Sequence, residues 1–449
     1  MKLREPRQHQ VRALDYAQGK DQIALFMEMR LGKSMVAIRW AKAKAGRHLV
    51  VAPLSVLPSW VEELELEGVK PEDVSILHGW RPGKEIELKA SWYLVNYESL
   101  RARPEILRLG FTTAIFDEST KIRNPQAQIS KILMNHTALP TRRALLSGLP
   151  APESPLDYFS QFKILKGDFM GFHSYWDFRG RLFHAPSWRP YDFLPRPGVL
   201  TKIKEAVHRH AFVLTRKDAN LGPLKIYEKR SVFMNANQKR LYKEVEKTFE
   251  YKNDNIEMAT KWATVKFVWL ARIAGGFGPM EKEFLSPEKA NEVLKLLEGE
   301  LKEEKVVVWF RFNRELAYVS EVLERAKICH EVITGASDLN QRIESSKRFR
   351  TKDNVRVMLC QVKCGKFGLN WSVASTAIYY SNSYDFEDRA QSEDRILDVG
   401  RKEPLLYIDL ISENSVDESI TKTLRMKHLN SRIFMTRLVS EWLESRKKK

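Results

Sequence analysis

Short apolar runs that alternate with helix-spaced intervals are the feature that most constrains the fold of this chain. The runs are rich in Val, Ile, Leu and Tyr, and turn residues follow most of them. They cover residues 23–27, 48–53, 92–100, 113–116 and 144–150 in the first half, and 305–313, 330–335, 355–361, 376–381 and 405–411 in the second. Because strands that alternate with helices pair in parallel through crossovers, the sequence predicts an α/β fold with two parallel sheets.

The middle of the chain lacks this alternation. Between residues 151 and 287, prolines, aromatic residues and long amphipathic runs predominate. We predict a helical protrusion from each half, at about 151–212 and 226–285, with most of the aromatic side chains in helix cores. With a boundary near Ala219, the predicted domains are 1–218 and 219–449.

The charge of the chain limits its partners. A formal charge of +18, from 75 basic and 57 acidic residues, indicates a polyanionic partner, most simply nucleic acid. A solubility surface is the alternative explanation. No apolar run approaches the ~20 residues that span a bilayer, so we expect no membrane association. The three cysteines are typical of a reduced intracellular protein, and we interpret Cys360 and Cys364 as core residues rather than metal ligands.

A glycine, a lysine and a serine stand between a predicted strand and a predicted helix. In a loop of this kind, Gly32 allows a phosphate to approach the backbone and Lys33 neutralises the β- and γ-phosphates. Ser34 offers a hydroxyl to Mg²⁺, and the helix N-terminus attracts the anion. The general phosphate-loop pattern has a glycine five residues before Gly32, where this chain has Met27. Trios of this composition also arise by chance, so neighbouring motifs must support the interpretation.

Two adjacent carboxylates follow the apolar run 113–116. Open α/β sheets bind ligands at the carboxyl ends of their strands, where Asp117 and Glu118 are expected. Asp117 can hold a hydrated Mg²⁺, and Glu118 can polarise a water molecule for attack on a phosphate. A solvated acidic strand end is the alternative, and the upstream loop favours the catalytic interpretation.

These motifs, in this order, resemble those of the Swi/Snf family of superfamily-two helicase-like motors. MEMRLGKS (27–34) is similar to the family's DEMGLGKT, DESTKIRNP (117–125) to DEAHRIKNP, and LSGLPAPE (146–153) to LTGTPLQN. The family lacks the first glycine of the general pattern, which accounts for Met27. Its members are ATP-driven translocases on double-stranded DNA, so the resemblance implies two RecA-like lobes with helical protrusions between them.

The resemblance continues through the second half of the chain. CGKFGLNW (364–371) is similar to the family's GGxGLNL, and QSEDRILDVGR (391–401) to QAxDRxHRIGQ. NSVDESI (414–420) resembles the closing element, after which a helix at about 413–446 would brace the second lobe. No nuclease, chromatin-reader or zinc module is recognisable, so we expect a minimal motor of the phage or bacterial type.

The resemblance also implies the site residues, with ATP and Mg²⁺ as cofactors and double-stranded DNA as partner. Glu118, Arg395 and Arg401 are the expected catalytic residues. The nucleotide is expected to contact Gln10, which reads adenine, and Arg30, Leu31, Gly32, Lys33, Ser34, Asp117 and Gly368. Mg²⁺ is expected at Ser34 and, through water, at Asp117. DNA binding and coupling are assigned to Pro53, Leu54, Ser55, Asn96, Ser147, Gly148, Thr334, Gly335, Asn370 and Gln391.

Four residues depart from the family pattern. Arg30 replaces a glycine, and Leu397 replaces a histidine. Asp398 replaces the second arginine, and Arg401 the closing glutamine. In the family both arginines reach the γ-phosphate, where an aspartate would repel it. Either Arg401 reaches in from a shifted loop, or Asp398 points away, or hydrolysis is impaired.

The function expected first is a DNA-stimulated ATPase that translocates along duplex DNA without separating its strands. A strand-separating or strand-annealing helicase is the alternative among enzymes. An alternative of another class is a hydrolysis-impaired clamp that binds nucleotide and DNA, motivated by Asp398 and Arg30. We expect a monomer in the bacterial or host cytoplasm, or in the nucleus of a eukaryote, with any protein partner unidentified.

Overall fold

The computed structural model describes residues 4–77, 88–185, 193–248, 250–253, 256–259, 263–279, 283–366 and 369–426. These residues form two compact units that divide between Leu221 and Gly222. The predicted division, between residues 218 and 219, lies three residues earlier.

A seven-stranded parallel sheet forms the centre of the first unit. Its strands are β1 (Gln22–Met27), β2 (His48–Ala52), β3 (Val74–Ile76), β4 (Trp92–Asn96), β5 (Thr113–Phe116), β6 (Arg142–Ser147) and β9 (Ala211–Leu214). Their order across the sheet is β3-β4-β2-β5-β6-β1-β9, and each neighbouring pair is parallel. The short strands β7 (Phe183–His184) and β8 (Leu194–Pro195) pair antiparallel elsewhere.

Both faces of this sheet are covered, which explains why its strands are apolar runs rather than alternating patterns. On β1, Phe26 belongs to one apolar core, and its neighbours Leu25 and Met27 belong to the core on the opposite face. The helices of the unit are α1 (Gln8–Ala17), α2 (Lys33–Lys42), α3 (Leu57–Leu66), α4 (Tyr97–Ala102), α5 (Gln128–Asn135), α6 (Tyr158–Lys166), α7 (Tyr175–Leu182) and α8 (Val199–His210).

The second unit contains a six-stranded parallel sheet. Its strands are β10 (Lys225–Val232), β13 (Val306–Phe310), β14 (His330–Ile333), β15 (Val357–Gln361), β16 (Thr376–Tyr379) and β17 (Leu405–Ser412), in the order β10-β17-β16-β13-β15-β14. A separate antiparallel hairpin pairs β11 (Glu250–Asn253) with β12 (Ile256–Ala259). The helices are α9 (Ala236–Thr248), α10 (Ala263–Ala274), α11 (Glu288–Glu298), α12 (Asn313–Arg325), α13 (Leu339–Thr351) and α14 (Phe386–Glu393), and residues 416–426 are also helical.

The predicted α/β class with two parallel sheets is confirmed, and the protrusions differ in detail from the prediction. The segment expected as a protrusion at 226–285 begins with the edge strand β10, so its first helix starts at Ala236. Of the expected brace helix, residues 416–426 are helical, and 427–446 lie outside the described residues. Cys360 and Cys364 are buried and unpaired, which confirms their interpretation as core residues.

Among the residues that the structure describes, no helix has both the length and the apolar character that crossing a membrane requires.

A buried ion pair holds the helical segment 416–426 to the second unit. Nζ of Lys289 on α11 lies 2.6 Å from Oδ2 of Asp417, and the two side chains are 2% and 7% exposed. The ammonium also donates to the backbone oxygen of Tyr380 at 3.0 Å. The pair therefore links α11, the end of β16 and the last described helix.

We predict that Lys289→Ala lowers the free energy of unfolding by about 3–5 kcal/mol, because Asp417 stays buried without its counter-charge. Lys295→Ala is the matched control on the same helix, since its side chain is 80% exposed and its amine lies 3.8 Å from Glu292. We expect that change to cost less than about 0.5 kcal/mol. Urea unfolding of both variants measures the difference, and equal losses would contradict the prediction.

Candidate functional site

The loop between β1 and α2 has the backbone geometry of an anion site. Gly32 precedes the first residue of α2 and has a φ of +77°, in the left-handed region. The first amides of α2 have no acceptor within the helix, and they carry the positive end of its dipole. A Cβ at Gly32 would lie 2.0 Å from Nε2 of Gln10, so a side chain here would displace the Gln10 amide and also strain the backbone.

The side-chain amide of Gln10 contacts this loop through a hydrogen bond. Its Nε2 donates to the backbone oxygen of Leu31 at 3.3 Å, and His9 Nε2 donates to the same oxygen at 3.0 Å. Oε1 of Gln10 accepts from the backbone N–H of Arg7 at 2.8 Å. Both ends of the Gln10 amide thus contact protein atoms. The adenine contact of Gln10 stays a prediction.

The two charged residues of the loop adopt defined positions. The ammonium of Lys33 donates to the backbone oxygens of Met27 at 2.8 Å and Glu28 at 3.4 Å, at the carboxyl end of β1. Arg30 has a φ of +67°, in the left-handed region that favours glycine, the residue that stands here in the family pattern. Such a conformation costs a non-glycine residue roughly 1–2 kcal/mol. Ser34 is the second residue of α2 and is partly buried.

Asp117 is held by several hydrogen bonds directly after β5. Its Oδ1 accepts from the backbone N–H of Glu118 at 2.9 Å, and its Oδ2 accepts from Nε1 of Trp60 at 2.8 Å. The hydroxyl of Tyr97 donates to its backbone oxygen at 2.7 Å. Burial raises the pKa of Asp117, and the Trp60 bond and the charge of Lys33 oppose that rise.

Glu118 has a φ of +47°, in the left-handed region. Conformations of this kind cost about 1–3 kcal/mol and persist where the surroundings determine them, most often at functional sites. Here the bonds to Asp117 on one side and the turn from Ser119 to Ile122 on the other fix the peptide. The strain supports a functional role for the acidic pair.

The strand order brings three loops together at one edge of the sheet. β6 lies between β5 and β1, so the acidic pair, the segment 147–148 and the phosphate loop are neighbours. A Cβ at Gly148 would lie 3.1 Å from Cγ and 3.2 Å from N of Met29, which shows how closely the two loops pack. Of the expected coupling residues, Gly148 therefore packs against the phosphate loop, and Ser147 precedes it at the end of β6.

Three site residues were missed by the sequence analysis: Trp60, Tyr97 and Gln161. Gln161 on α6 is fully buried and accepts from the hydroxyl of Ser119 at 2.7 Å. Its Nε2 donates to the backbone oxygen of Pro150 at 2.7 Å. It thereby joins the acidic motif to the end of the 146–153 motif. The only signal in the sequence is a polar residue within the apolar pattern of a helix.

Two of the expected DNA contacts on the first unit follow neighbouring strands, and they differ in exposure. The short helix Leu54–Val56 follows β2, and Leu54 is 42% exposed. Asn96 ends β4, but its side chain is 3% exposed and its Nδ2 donates to Glu98 at 2.9 Å. The amide of Asn96 thus contacts the first turn of α4, and the prediction that Asn96 contacts DNA stays a prediction.

In the second unit, the expected DNA contacts Thr334 and Gly335 follow the edge strand β14. The N–H of Gly335 donates to Oε1 of Gln361 at 3.2 Å, and Arg342 donates to the oxygen of Thr334 at 3.1 Å. These bonds fix a loop in which Gly335 is exposed. Asn370 is partly buried, and its Oδ1 accepts from the N–H of Ser372 at 3.1 Å. The expected nucleotide contact Gly368 lies outside the described residues.

Gln391 lies on α14 and Arg395 lies two residues after its end, and each is 8% exposed. Nη1 of Arg395 donates to the backbone oxygen of Leu369 at 3.1 Å, which joins the two glycine-containing motifs of the second half. Nε2 of Gln391 donates to Glu387 at 3.1 Å, so a coupling role suits it better than a surface contact.

The departures from the family pattern after Arg395 have a structural explanation. Leu397 is 1% exposed and packs in the apolar core. Asp398 is exposed, and its Oδ1 accepts from the N–H of Gly400 at 2.9 Å, so the carboxylate turns onto its own loop. Arg401 donates to the backbone oxygen of Ala374 at 2.6 Å. A catalytic role for Arg401 stays a prediction.

The oxygen ligands around Asp117 fit Mg²⁺. Across the described ranges, no group of three or more His, Cys, Asp or Glu side chains is arranged to hold a metal. A cation here would therefore take most of its ligands from water and phosphate, which is the coordination that Mg²⁺ prefers. Asp117 and the hydroxyl of Ser34 stay the protein groups that are predicted to complete it.

Comparisons with known proteins identify two matching families. The model of the SNF2-related domain matches residues 9–274, and that of the helicase conserved C-terminal domain matches residues 288–400.

Individual relatives are distant. The SWI/SNF-related matrix-associated actin-dependent regulator of chromatin subfamily A-like protein 1 of Drosophila melanogaster is 23% identical over 430 residues, covering 91% of this chain and 53% of the relative. The ISWI chromatin-remodeling complex ATPase ISW1 of Saccharomyces cerevisiae is 23% identical over 447 residues, covering 90% and 38%. The chain thus spans about half or less of the length of these curated relatives. A solved Sulfolobus solfataricus SWI2/SNF2 ATPase core in complex with dsDNA is 18% identical with a TM-score of 0.44, and the match covers 97% of this chain and 96% of that one.

We predict that Gly32→Ala is more damaging than Gly19→Ala, although both glycines have a positive φ of similar size (+77° and +72°). A Cβ at Gly19 meets no atom within 4 Å, whereas one at Gly32 collides with Gln10. Gly19→Ala should cost only the backbone strain, about 1–2 kcal/mol. Gly32→Ala should also displace Gln10 and speed hydrogen exchange in the first turn of α2. Equal unfolding free energies and unchanged exchange would contradict the prediction.

Proposed function

Because the chain belongs to the SNF2-related family, we propose that it is an ATP hydrolase that double-stranded DNA stimulates, and that it moves along the duplex without separating the strands. The observation that carries the proposal is the acidic pair beside the phosphate loop. Asp117 and the strained Glu118 end β5, and Gly32 opens α2, one strand away across the same edge of the sheet.

The first unit supplies the groups that bind and activate ATP. The amides at the start of α2 and the ammonium of Lys33 bind the β- and γ-phosphates. Asp117, through water, and Ser34 hold Mg²⁺, which neutralises phosphate oxygens when bound. Glu118 accepts a proton from the attacking water, and its fixed backbone holds its carboxylate at the sheet edge. Gln10, Arg30 and Leu31 complete the nucleotide contacts.

Residues of the second unit also take part in the proposed reaction. Arg395 stabilises the charge that develops on the transferred phosphoryl group, as arginines do in this class of reaction. Its bond to Leu369 places it beside the segment 364–371, where Gly368 is the proposed nucleotide contact. Gln391, on α14, is proposed to couple ATP hydrolysis to DNA binding. Arg401 is proposed as a second catalytic arginine.

The proposed DNA contacts come from both units. In the first unit these are Pro53, Leu54, Ser55 and Asn96, and in the second Thr334, Gly335 and Asn370. Ser147 and Gly148 couple that binding to the phosphate loop, against which Gly148 packs. The net charge of +18 supports a sequence-independent attraction to the phosphate backbone.

A hydrolysis-impaired clamp is the second candidate, and Asp398 is the observation that favours it, because an arginine stands there in the family. ATP turnover by the wild-type protein, with and without duplex DNA, decides between the two. A protein that binds both ligands and hydrolyses no ATP would be the clamp.

We predict that Glu118→Gln binds ATP normally and loses turnover by about 10²–10⁴-fold, because a general base contributes that much. Glu105→Gln is the matched control, since that side chain is 51% exposed on the same unit. Lys33→Ala should instead lose binding. A fluorescent ATP analogue measures affinity and phosphate release measures turnover. A folded Glu118→Gln variant with normal turnover would refute the role of Glu118.

We predict that the dissociation constant of a random-sequence duplex is about 10³-fold higher at about 200 mM salt than at about 50 mM, because binding releases counterions from at least six phosphates. Fluorescence anisotropy at a series of salt concentrations gives the slope, and duplexes of different sequence should agree. Binding that ignores salt, or that prefers one base sequence, would contradict the proposal. In a parallel assay, strand displacement from a forked duplex would favour the helicase alternative.

A further inference from the structure

We propose that Trp60 is a positioning residue that links the loop 53–57 to the carboxylate of Asp117. In this proposal, duplex DNA bound at the loop orients Asp117 for Mg²⁺, and so contributes to the stimulation of ATP hydrolysis. The inference rests on the proposed function, and it names a residue for which that function alone gives no role.

The contact between Trp60 and Asp117 is direct and buried. Nε1 of the indole lies 2.8 Å from Oδ2 of the carboxylate, and the residues are 1% and 7% exposed. An indole has one N–H and no acceptor, so it fixes a single direction at the carboxylate. A bond from a neutral donor to a buried charge is stronger than one between neutral groups. Trp60 therefore controls where Oδ2 points.

The rest of Asp117 is fixed independently of Trp60. Its backbone N–H donates to the oxygen of Val51 at 2.8 Å, and its backbone oxygen accepts from Tyr97 at 2.7 Å. Oδ1 accepts from the N–H of Glu118. Each carboxylate oxygen keeps a lone pair for a water of the Mg²⁺ shell. With the backbone anchored, the amide of Glu118 and the indole together set the rotation of the carboxylate, and the indole is the partner that comes from another element.

Trp60 also belongs to a short, continuous element that begins at the loop. The helix Leu54–Val56 passes directly into α3, which starts at Leu57. Trp60 follows in the first turns of α3, and its ring packs in the apolar core with Leu57 and Leu64. The start of this element carries Leu54, 42% exposed, and Trp60, further along in α3, is 1% exposed. A contact at the loop that tilts α3 therefore moves the N–H against Oδ2.

A second buried tryptophan provides the matched control. Trp40 on α2 is 3% exposed and belongs to the same apolar core as Trp60. Its Nε1 donates at 2.9 Å to the backbone oxygen of Lys20, not to a carboxylate. Replacing either tryptophan with phenylalanine removes one N–H and part of one ring from the same core. A loss specific to Trp60 thus reports on the bond to Asp117.

The first experiment measures the Mg²⁺ dependence of nucleotide binding. The binding assays use a fluorescent ATP analogue in the Glu118→Gln background, so that turnover does not consume the nucleotide. Trp60→Phe should raise the Mg²⁺ concentration at half-maximal binding about 10-fold or more, the usual effect of removing a partner of a metal-binding side chain. Trp40→Phe should leave it unchanged. If the role of Trp60 were purely structural, both variants would have lower thermal stability than the wild type, and the Mg²⁺ midpoint of Trp60→Phe would not change.

The second experiment measures stimulation by DNA in the otherwise wild-type protein. At saturating Mg²⁺, Trp60→Phe should lose most of the increase in turnover that duplex DNA produces, and Trp40→Phe should keep it. Trp60→Phe that matches Trp40→Phe in both the Mg²⁺ midpoint and the stimulation would overturn the inference. A wild-type protein that neither binds nor hydrolyses ATP would instead refute the proposed function, so the two failures are distinct.

Hydrogen exchange on the wild-type protein decides the question if Trp60→Phe does not fold. Duplex DNA should slow exchange in α3 and in the peptide that contains Asp117 and Glu118 together. Protection of α3 without any change at Asp117 and Glu118 would overturn the inference.

Discussion

The buried carboxylate of Asp117 is the constraint on which the functional edge of the first unit depends. A charged group removed from water costs several kcal/mol unless donors replace its hydration. Two of those donors come from different elements: the indole of Trp60 on α3 and the amide of Glu118 after β5. The charge of Lys33 at the start of α2 adds to them. One carboxylate thus determines how a strand and two helices meet, and the same three elements would bind the ligand.

The second unit solves a similar problem with a network of charges. Burial raises the pKa of Glu393, but the charges of Lys225 and Arg389 outweigh this effect and hold that pKa at about 2. Nζ of Lys225 lies 3.0 Å from Glu393 and 3.2 Å from Asp394, and Arg389 also pairs with Asp409. The network ties the edge strand β10 to α14, and so to the residue that precedes Arg395. Acidic residues beside the arginine are therefore structural here.

The sequence predicted what depends on burial and missed what depends on single contacts. Strands such as β5 and β13 are buried on both faces, so they appear as apolar runs. The edge strand β10 was missed because four of its eight residues are charged and most of its side chains are partly or fully exposed. The hydrogen bond of Trp60 gave no signal, because an indole in an apolar helix face resembles any core residue. The bond between the Asn96 amide and Glu98 gave no signal either, because the letters do not show which neighbour a polar side chain contacts.

Backbone conformation shows how two departures from the family motifs are accommodated. Arg30 has a φ of +67°, in the left-handed region that favours glycine, at a cost of roughly 1–2 kcal/mol. Asp398 turns one oxygen of its carboxylate toward its own loop, where that oxygen accepts from the N–H of Gly400. In both places the changed side chain is accommodated by local geometry. A letter-by-letter comparison of the motifs does not show this accommodation, because it depends on backbone conformation and on hydrogen bonds to backbone amides.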